Sequence, residues 1–173
     1  ELPQKPRSRG LLVRDLLACS SAAGAADQAG KELSGPQYAG CNLLCADAKT
    51  AVILHAGDWL RVRPLPSGLH ILTSRDVNEP SDRRLVHALD WLGQRRYETG
   101  ADCVTALREL CSQTGNGTPP ICLHGKKGGT VSSSIVALRT PLAGSTYLHA
   151  QGPPDREPYV DVSDALQSIL NKK

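Results

Sequence analysis

Followed along its apolar positions, the chain changes texture three times. Residues Gly10-Leu11-Leu12-Val13-Arg14-Asp15-Leu16-Leu17-Ala18 space their leucines for one helical face behind Ser8, a residue type suited to an N-cap. An alanine-rich stretch from Ser21 to Leu33 repeats the helical signal and stops at Ser34-Gly35-Pro36. Shorter runs then take over. Cys41–Ala46, Ala51–His55 and Trp59–Pro64 are separated by Asp47-Ala48-Lys49-Thr50 and Ala56-Gly57-Asp58, a pattern that predicts an antiparallel meander. Pro66-Ser67-Gly68 turns the chain into a fourth expected strand, Leu69–Thr73.

From Pro80 the helical period returns, with Leu85, Ala88, Leu89 and Leu92 on one face and Arg83, Arg84 and Asp90 elsewhere. Asn78 or Ser81 is the expected cap of this helix. A further helix is predicted over 101–111, a loop over 114–120, strands over 121–123, 130–138 and 145–149, and a closing helix over 162–170. Helices, antiparallel strands, helices and strands again predict an α+β layered domain, read as a single domain spanning 1–173.

Composition narrows the function classes. The 173 residues are enough for one sizeable core. Twenty Lys and Arg are scattered among seventeen acids for a net charge of +3, so no nucleic-acid partner is predicted. Apolar stretches such as Ala51-Val52-Ile53-Leu54 are far too short to span a bilayer. Glu1 to Pro6 offers neither a starting Met nor an apolar signal-peptide core, so the expected location is cytoplasmic and the numbering is expected to begin partway into something longer. With no Phe and no Met, the core has to rest on Leu, Val, Ile and Ala, with Trp59, Trp91 and four Tyr as large fillers. The six cysteines sit in apolar, regular segments and read as reduced structural thiols. Cys41 and Cys45 would share a strand face about 13 Å apart, too far for one tetrahedral ion, so no metal and no cofactor is predicted.

Five blocks in order carry a family resemblance: Arg7-Ser8-Arg9-Gly10-Leu11-Leu12-Val13, Cys41-Asn42-Leu43-Leu44, Gly68-Leu69-His70-Ile71-Leu72-Thr73-Ser74-Arg75-Asp76-Val77-Asn78, Thr130-Val131-Ser132-Ser133-Ser134 and His149-Ala150-Gln151-Gly152-Pro153-Pro154-Asp155. Together they resemble the NRDE proteins, the transport and Golgi organisation family, over nearly the whole chain. The resemblance implies an N-terminal-nucleophile hydrolase type of fold, a four-layer αββα sandwich of antiparallel sheets. It implies an incomplete copy, the C-terminal two-thirds or so of the family domain without its N-terminal strands. Complete members open with Met-Cys, the thiol serving as nucleophile and the α-amine as base, and soon carry Asn-Arg-Asp-Glu. Neither feature is in this sequence, and Cys19 has no free amine to activate it.

In complete form, the implied activity is that of a cysteine-dependent amidohydrolase acting on non-peptide C–N bonds. The alternative is a non-catalytic binding or trafficking factor, tied to secretory organisation and to haem or lipid handling, with His70 and His149 as axial-ligand candidates. The expected partner is a small amide or a hydrophobic ligand, and the oligomeric state stays open. In the related acylases, Leu-Thr-Asn at a strand end positions an oxyanion asparagine. The matching position here is Ser74, so Ser74 and Asn42, on a neighbouring strand, are the oxyanion or pocket candidates. Arg75, Asp76 and His70 are the binding candidates, and Arg75 with Asp76 reads equally well as a strand-end ion pair.

Other motifs carry less. Gly125-Lys126-Lys127-Gly128-Gly129-Thr130 lacks the spacing of a phosphate-binding loop and leads into a strand, so a hairpin loop is expected. Thr130 follows Gly129 as a self-processing nucleophile would, but it opens a β-branched run that reads as ordinary strand. His55, His70 and His87 are too dispersed to form a ligand set, and Ser132-Ser133-Ser134 reads as sheet hydrogen-bonding residues.

Overall fold

The computed structural model describes residues 6–126 and 128–170, an α+β chain with two three-stranded antiparallel sheets and five helices among them. The expectations that touch Glu1–Lys5 and Lys127 lie outside the described residues. The chain divides into two compact units, residues 1–79 and 80–173, at the point where the helical period returns. Among the described residues, no helix is long and apolar enough to cross a membrane.

In the first unit, α1 (Arg9–Leu16) and α2 (Ala22–Leu33) precede β1 (Cys41–Ala46), β2 (Ala51–Ala56) and β3 (Leu60–Pro64). Helix α2 begins where Ser21 Oγ accepts the Gly24 N–H at 3.1 Å. It buries Ala22, Ala25, Ala26, Ala29 and Leu33, the stripe a 3.6-residue period predicts. Asp47 sets the first turn of the sheet. Its carboxylate accepts the N–H groups of Lys49 and Thr50 within the turn and that of Ala22 at the start of α2. Those three backbone bonds hold its pKa below the ordinary carboxylate value.

With Ala46 closed against Ala51, strand pairing runs back to Cys41 opposite Ala56, and β2 pairs with β3 from Ala56–Leu60 to Val52–Pro64. Alternation then assigns the faces. Cys41, Leu43, Cys45, Val52, Leu54, Ala56 and Leu60 join the helical residues in one core. Asn42, His55, Arg61 and Arg63 fall on the opposite face.

Leu69–Thr73 is not a strand. Its polar groups are satisfied by side chains and by its own loop rather than by a neighbouring ladder. Asn78 N donates to Ile71 O at 3.0 Å, Ile71 N to Asn78 Oδ1 at 2.9 Å, and Asn42 Nδ2 to Thr73 O at 2.9 Å. Asn78 adopts the left-handed region (φ 55°), which its short polar side chain tolerates. Spent in this way, Asn78 does not cap the next helix, and neither does Ser81. The cap is Asp82, which accepts from Arg84 N and Leu85 N.

In the second unit, α3 (Arg83–Gly93) buries Leu85, Ala88 and Leu92, and α4 (Gly100–Cys111) starts with a reciprocal Thr99–Asp102 capping box. A sheet follows in the order β4 (Ser133–Ala137), β5 (Thr146–Ala150) and β6 (Val160–Asp161), and α5 (Ser163–Leu170) ends the described residues. The expected strand at 121–123 is absent. Ile121 N and Cys122 N both turn back to Gln113 O, and Leu123 N donates to Thr130 Oγ1. The expected strand at 130–138 is shorter at its ends because its partner supplies five residues, Thr146 to Ala150. The two-residue β6 lacked any run long enough to be read from sequence.

Candidate functional site

A cleft of about 710 Å³ opens in the first unit beside β1 and β2. Its apolar wall includes Leu12, Val13, Leu43 and Leu72, and its polar wall includes Arg9, Asn42, His55, Thr73 and Ser74. Ser74 and Asn42, nominated from sequence, thus line one cavity. Arg75, Asp76 and His70 are not among its lining residues.

Asn42 organises the polar wall. Its Nδ2 donates to Thr73 O at 2.9 Å and to Arg75 O at 2.6 Å. Its Oδ1 is therefore the acceptor, and His55 Nδ1–H donates to it at 2.6 Å. Both amide N–H groups are spent on backbone carbonyls. This leaves none for an oxyanion, and Ser74, exposed on the cleft wall, keeps a hydroxyl to offer. Fixing Nδ1 as donor makes Nε2 the acceptor of the neutral ring. Gly57 keeps that edge open, since a Cβ at this position would stand 3.3 Å from Nε2.

Behind the imidazole, Asp76 accepts from Arg61 at 2.9 Å and from Arg63, and not from its sequence neighbour Arg75. Alternation explains the partners: Arg61 and Arg63 project from the same face of β3, while Arg75 contributes its carbonyl to Asn42. Burial pushes the Asp76 carboxyl up. The Val77 N–H, Arg63, His55 and Arg61 together outweigh that effect and hold it below its ordinary value. A depressed folded-state pKa contributes stability that is complete above the unfolded value of about 4 and is lost as pH falls through the folded value. Urea midpoints measured from pH 6 downward should therefore fall below about pH 4, and Asp76→Asn should flatten that decline while lowering the midpoint at neutral pH. Parallel pH profiles for the two proteins would show that Asp76 does not carry the acid sensitivity.

His70, a binding candidate from sequence, bolts the 66–78 loop. Its Nε2 donates to Pro66 O at 2.8 Å, and its Nδ1 accepts from Asn78 Nδ2 at 3.0 Å. Cys41 is the cysteine on the cleft wall, but burial raises its thiol pKa and Arg9 only partly opposes the shift. It is not an activated nucleophile. All six cysteines are unpaired. Cys45 and Cys122 are buried, and Cys103 is exposed.

No protein family, curated protein or solved structure matches the chain.

Sequence reasoning missed His55 as a site residue, although the turn at Asp47–Thr50 places it opposite Asn42 once the hairpin is counted back. It also missed a cluster in the second unit, where no metal ligands were foreseen. Cys122 Sγ donates to Asp155 Oδ1 at 3.0 Å, and His124 Nε2 lies 3.0 and 2.9 Å from the two Asp155 oxygens. Burial, together with that bond to Asp155, raises the Cys122 thiol pKa. The available signal was Cys-x-His, two metal-ligating residue types separated by a single residue.

Proposed function

We propose that the first unit is a small-molecule-binding module of NRDE type, whose cleft takes a ligand with an apolar body and an amide or anionic head. The observation that carries this reading is the pre-organised polar wall: Asn42 fixes the 73–75 backbone and the His55 ring at once, so the groups facing the ligand lose little freedom on binding. The apolar body would lie on Leu12, Val13 and Leu72; oxygens of the head would accept from Ser74 Oγ–H and the Arg9 guanidinium, and the N–H of an amide head would donate to His55 Nε2. Arg9 donates to Gly40 O at 2.9 Å, which sets its side chain at the cleft.

The NRDE assignment and the four-layer αββα stacking belong to this proposal. They are supported by the five sequence blocks, by the two three-stranded antiparallel sheets with their helices, and by Asn42 and Ser74 sharing a cleft. A cysteine-dependent amidohydrolase is the second reading, for a chain that also bears the family's N-terminal cysteine. The observation favouring it is Ser74 Oγ and His55 on one wall, a donor and a base beside an incoming amide. Within residues 6–79 the geometry favours binding, because Cys41 is unactivated and the Asn42 amide is engaged.

Anilinonaphthalene sulfonate, an apolar ring system with an anionic head, is a suitable first probe. Saturable binding to the full chain is expected, weakened about tenfold or more by Leu72→Asp and severalfold by Arg9→Ala, with competition by an N-acylglycine. Binding unchanged in Leu72→Asp would remove the cleft from consideration.

A further inference from the structure

We infer that Cys122, His124 and Asp155 form a binding site for a single zinc-type divalent ion in the second unit. The inference rests on residues that the cleft of the first unit does not use, so the two stand or fall separately.

The three side chains bring together a sulfur, an imidazole nitrogen and a carboxylate oxygen, all within 4.8 Å of one another. Their separations are 3.0 Å from Sγ to Asp155 Oδ1, 2.9 Å from His124 Nε2 to Asp155 Oδ2, and 3.9 Å from Sγ to Nε2. A tetrahedral zinc with bonds of about 2.0 to 2.3 Å needs ligand edges of about 3.3 to 3.6 Å, so adjustments of roughly half an ångström convert the hydrogen-bonded cluster into a coordination shell. The ligand set is selective. Sulfur and imidazole favour Zn²⁺ or Co²⁺ over Mg²⁺ or Ca²⁺, which take oxygen.

The backbone holds these groups before any ion arrives. Cys122 N is tied to Gln113 O at 2.8 Å, and Leu123 exchanges bonds with Thr130 through both its N–H and its carbonyl. On the other side, Pro153 O accepts from Arg156 N and Glu157 N in the turn that carries Asp155, and Ser112 Oγ donates to Pro154 O. An unfolded chain would bring no such trio together, because 33 residues separate Cys122 from Asp155.

The charges balance as well. On binding, the Cys122 S–H bond breaks, its proton leaves to buffer and a metal–sulfur bond forms. The His124 Nε2–H, which faces Asp155, is lost to buffer as well, and the metal–nitrogen bond takes its place with the remaining ring proton on Nδ1; thiolate and carboxylate then neutralise the dication beside a neutral imidazole. Arg156, with Nε 3.6 Å from Asp155 Oδ2, is a competing cation; its side chain is mostly exposed and able to turn outward. A cleft of about 500 Å³ whose lining includes His124, Lys126, Thr130 and Arg156 borders the cluster, which leaves the fourth position to water or an exchangeable anionic ligand.

Cobalt is the direct probe, added to the 173-residue chain under reducing conditions. One equivalent should give a sulfur-to-cobalt charge-transfer band and the intense visible bands of four-coordinate Co²⁺, and one equivalent of Zn²⁺ should erase both. Cys122→Ser should abolish the charge-transfer band, and Cys19→Ser and Cys103→Ser should leave it unchanged. His124→Gln and Asp155→Asn should weaken Co²⁺ binding at least about tenfold. Because Cys122 is buried and its replacement tests the fold too, His124→Gln, at a partly exposed ring, decides the matter if Cys122→Ser does not fold. A charge-transfer band that survives in His124→Gln with unchanged affinity, or its absence from the unaltered protein, overturns the site.

Discussion

Replacing Asn42 with alanine is expected to lower the unfolding free energy of the first unit by about 2 to 4 kcal/mol. Three hydrogen bonds disappear together, to Thr73 O, Arg75 O and His55 Nδ1, and each contributes on the order of 0.5 to 1.5 kcal/mol net. The Thr73 carbonyl is the costlier loss, because it is partly buried and less able to turn to water; the Arg75 carbonyl rehydrates readily. Asn42→Asp separates the role of the donors from that of the shape. A carboxylate fills the same space and still accepts from His55, but it presents oxygen to two carbonyl oxygens, so it should destabilise at least as much as alanine at neutral pH. Urea unfolding gives the free energies, and hydrogen exchange localises the effect. Faster exchange should appear at Ile71, Arg75 and Asn78, whose N–H groups are bonded within the loop. A loss below about 0.5 kcal/mol with unaltered exchange would reduce Asn42 to a surface polar residue.

How much of this was legible beforehand depends on where each hydrogen bond finds its partner. The limits of β1 are those the sequence predicts, because alternation, Asp47 and the following turn residues all act within a few positions. Helix α2 was legible for the same reason, with a cap at Ser21 and an alanine stripe behind it. Leu69–Thr73 and Ile121–Leu123 have strand-like composition, yet their backbone groups are claimed by Asn42, Asn78, Gln113 and Thr130. A run of aliphatic residues reports that a segment suits an extended backbone; it does not report who will bond to it. The ion pair expected between Arg75 and Asp76 failed on a similar point, since facing on the sheet outweighed adjacency in the chain. Of the site residues, Asn42 and Ser74 came from resemblance, and His55 was one register count away. Asp155 was out of reach because its position depends on the Pro153 turn and on the tertiary bond from Ser112 Oγ to Pro154 O.

Leu54→Ala should cost about 3 to 5 kcal/mol, in the upper part of the range for leucine truncation in a core. Leu54 is fully buried on the central strand, opposite Leu43 and Val62, with its side chain in the core shared with α2. The helix facing it buries four alanines and a single leucine. Alanine has no χ rotamers with which to lean into a void, and the chain contains neither Met nor Phe to adapt to one. The cavity therefore stays open, and its cost adds to the lost transfer free energy. Leu44→Ala is the matched control: the same deletion one residue from Leu54's cross-strand neighbour Leu43, on the other face of β1, where the side chain is 54% exposed. It should cost less than about 1 kcal/mol. Chemical denaturation of both variants at one pH reads the difference. Equal costs would mean that the alanine stripe of α2 does not cover the Leu54 face of the sheet, and the assignment of His55 and Asn42 to the opposite face would fall with it.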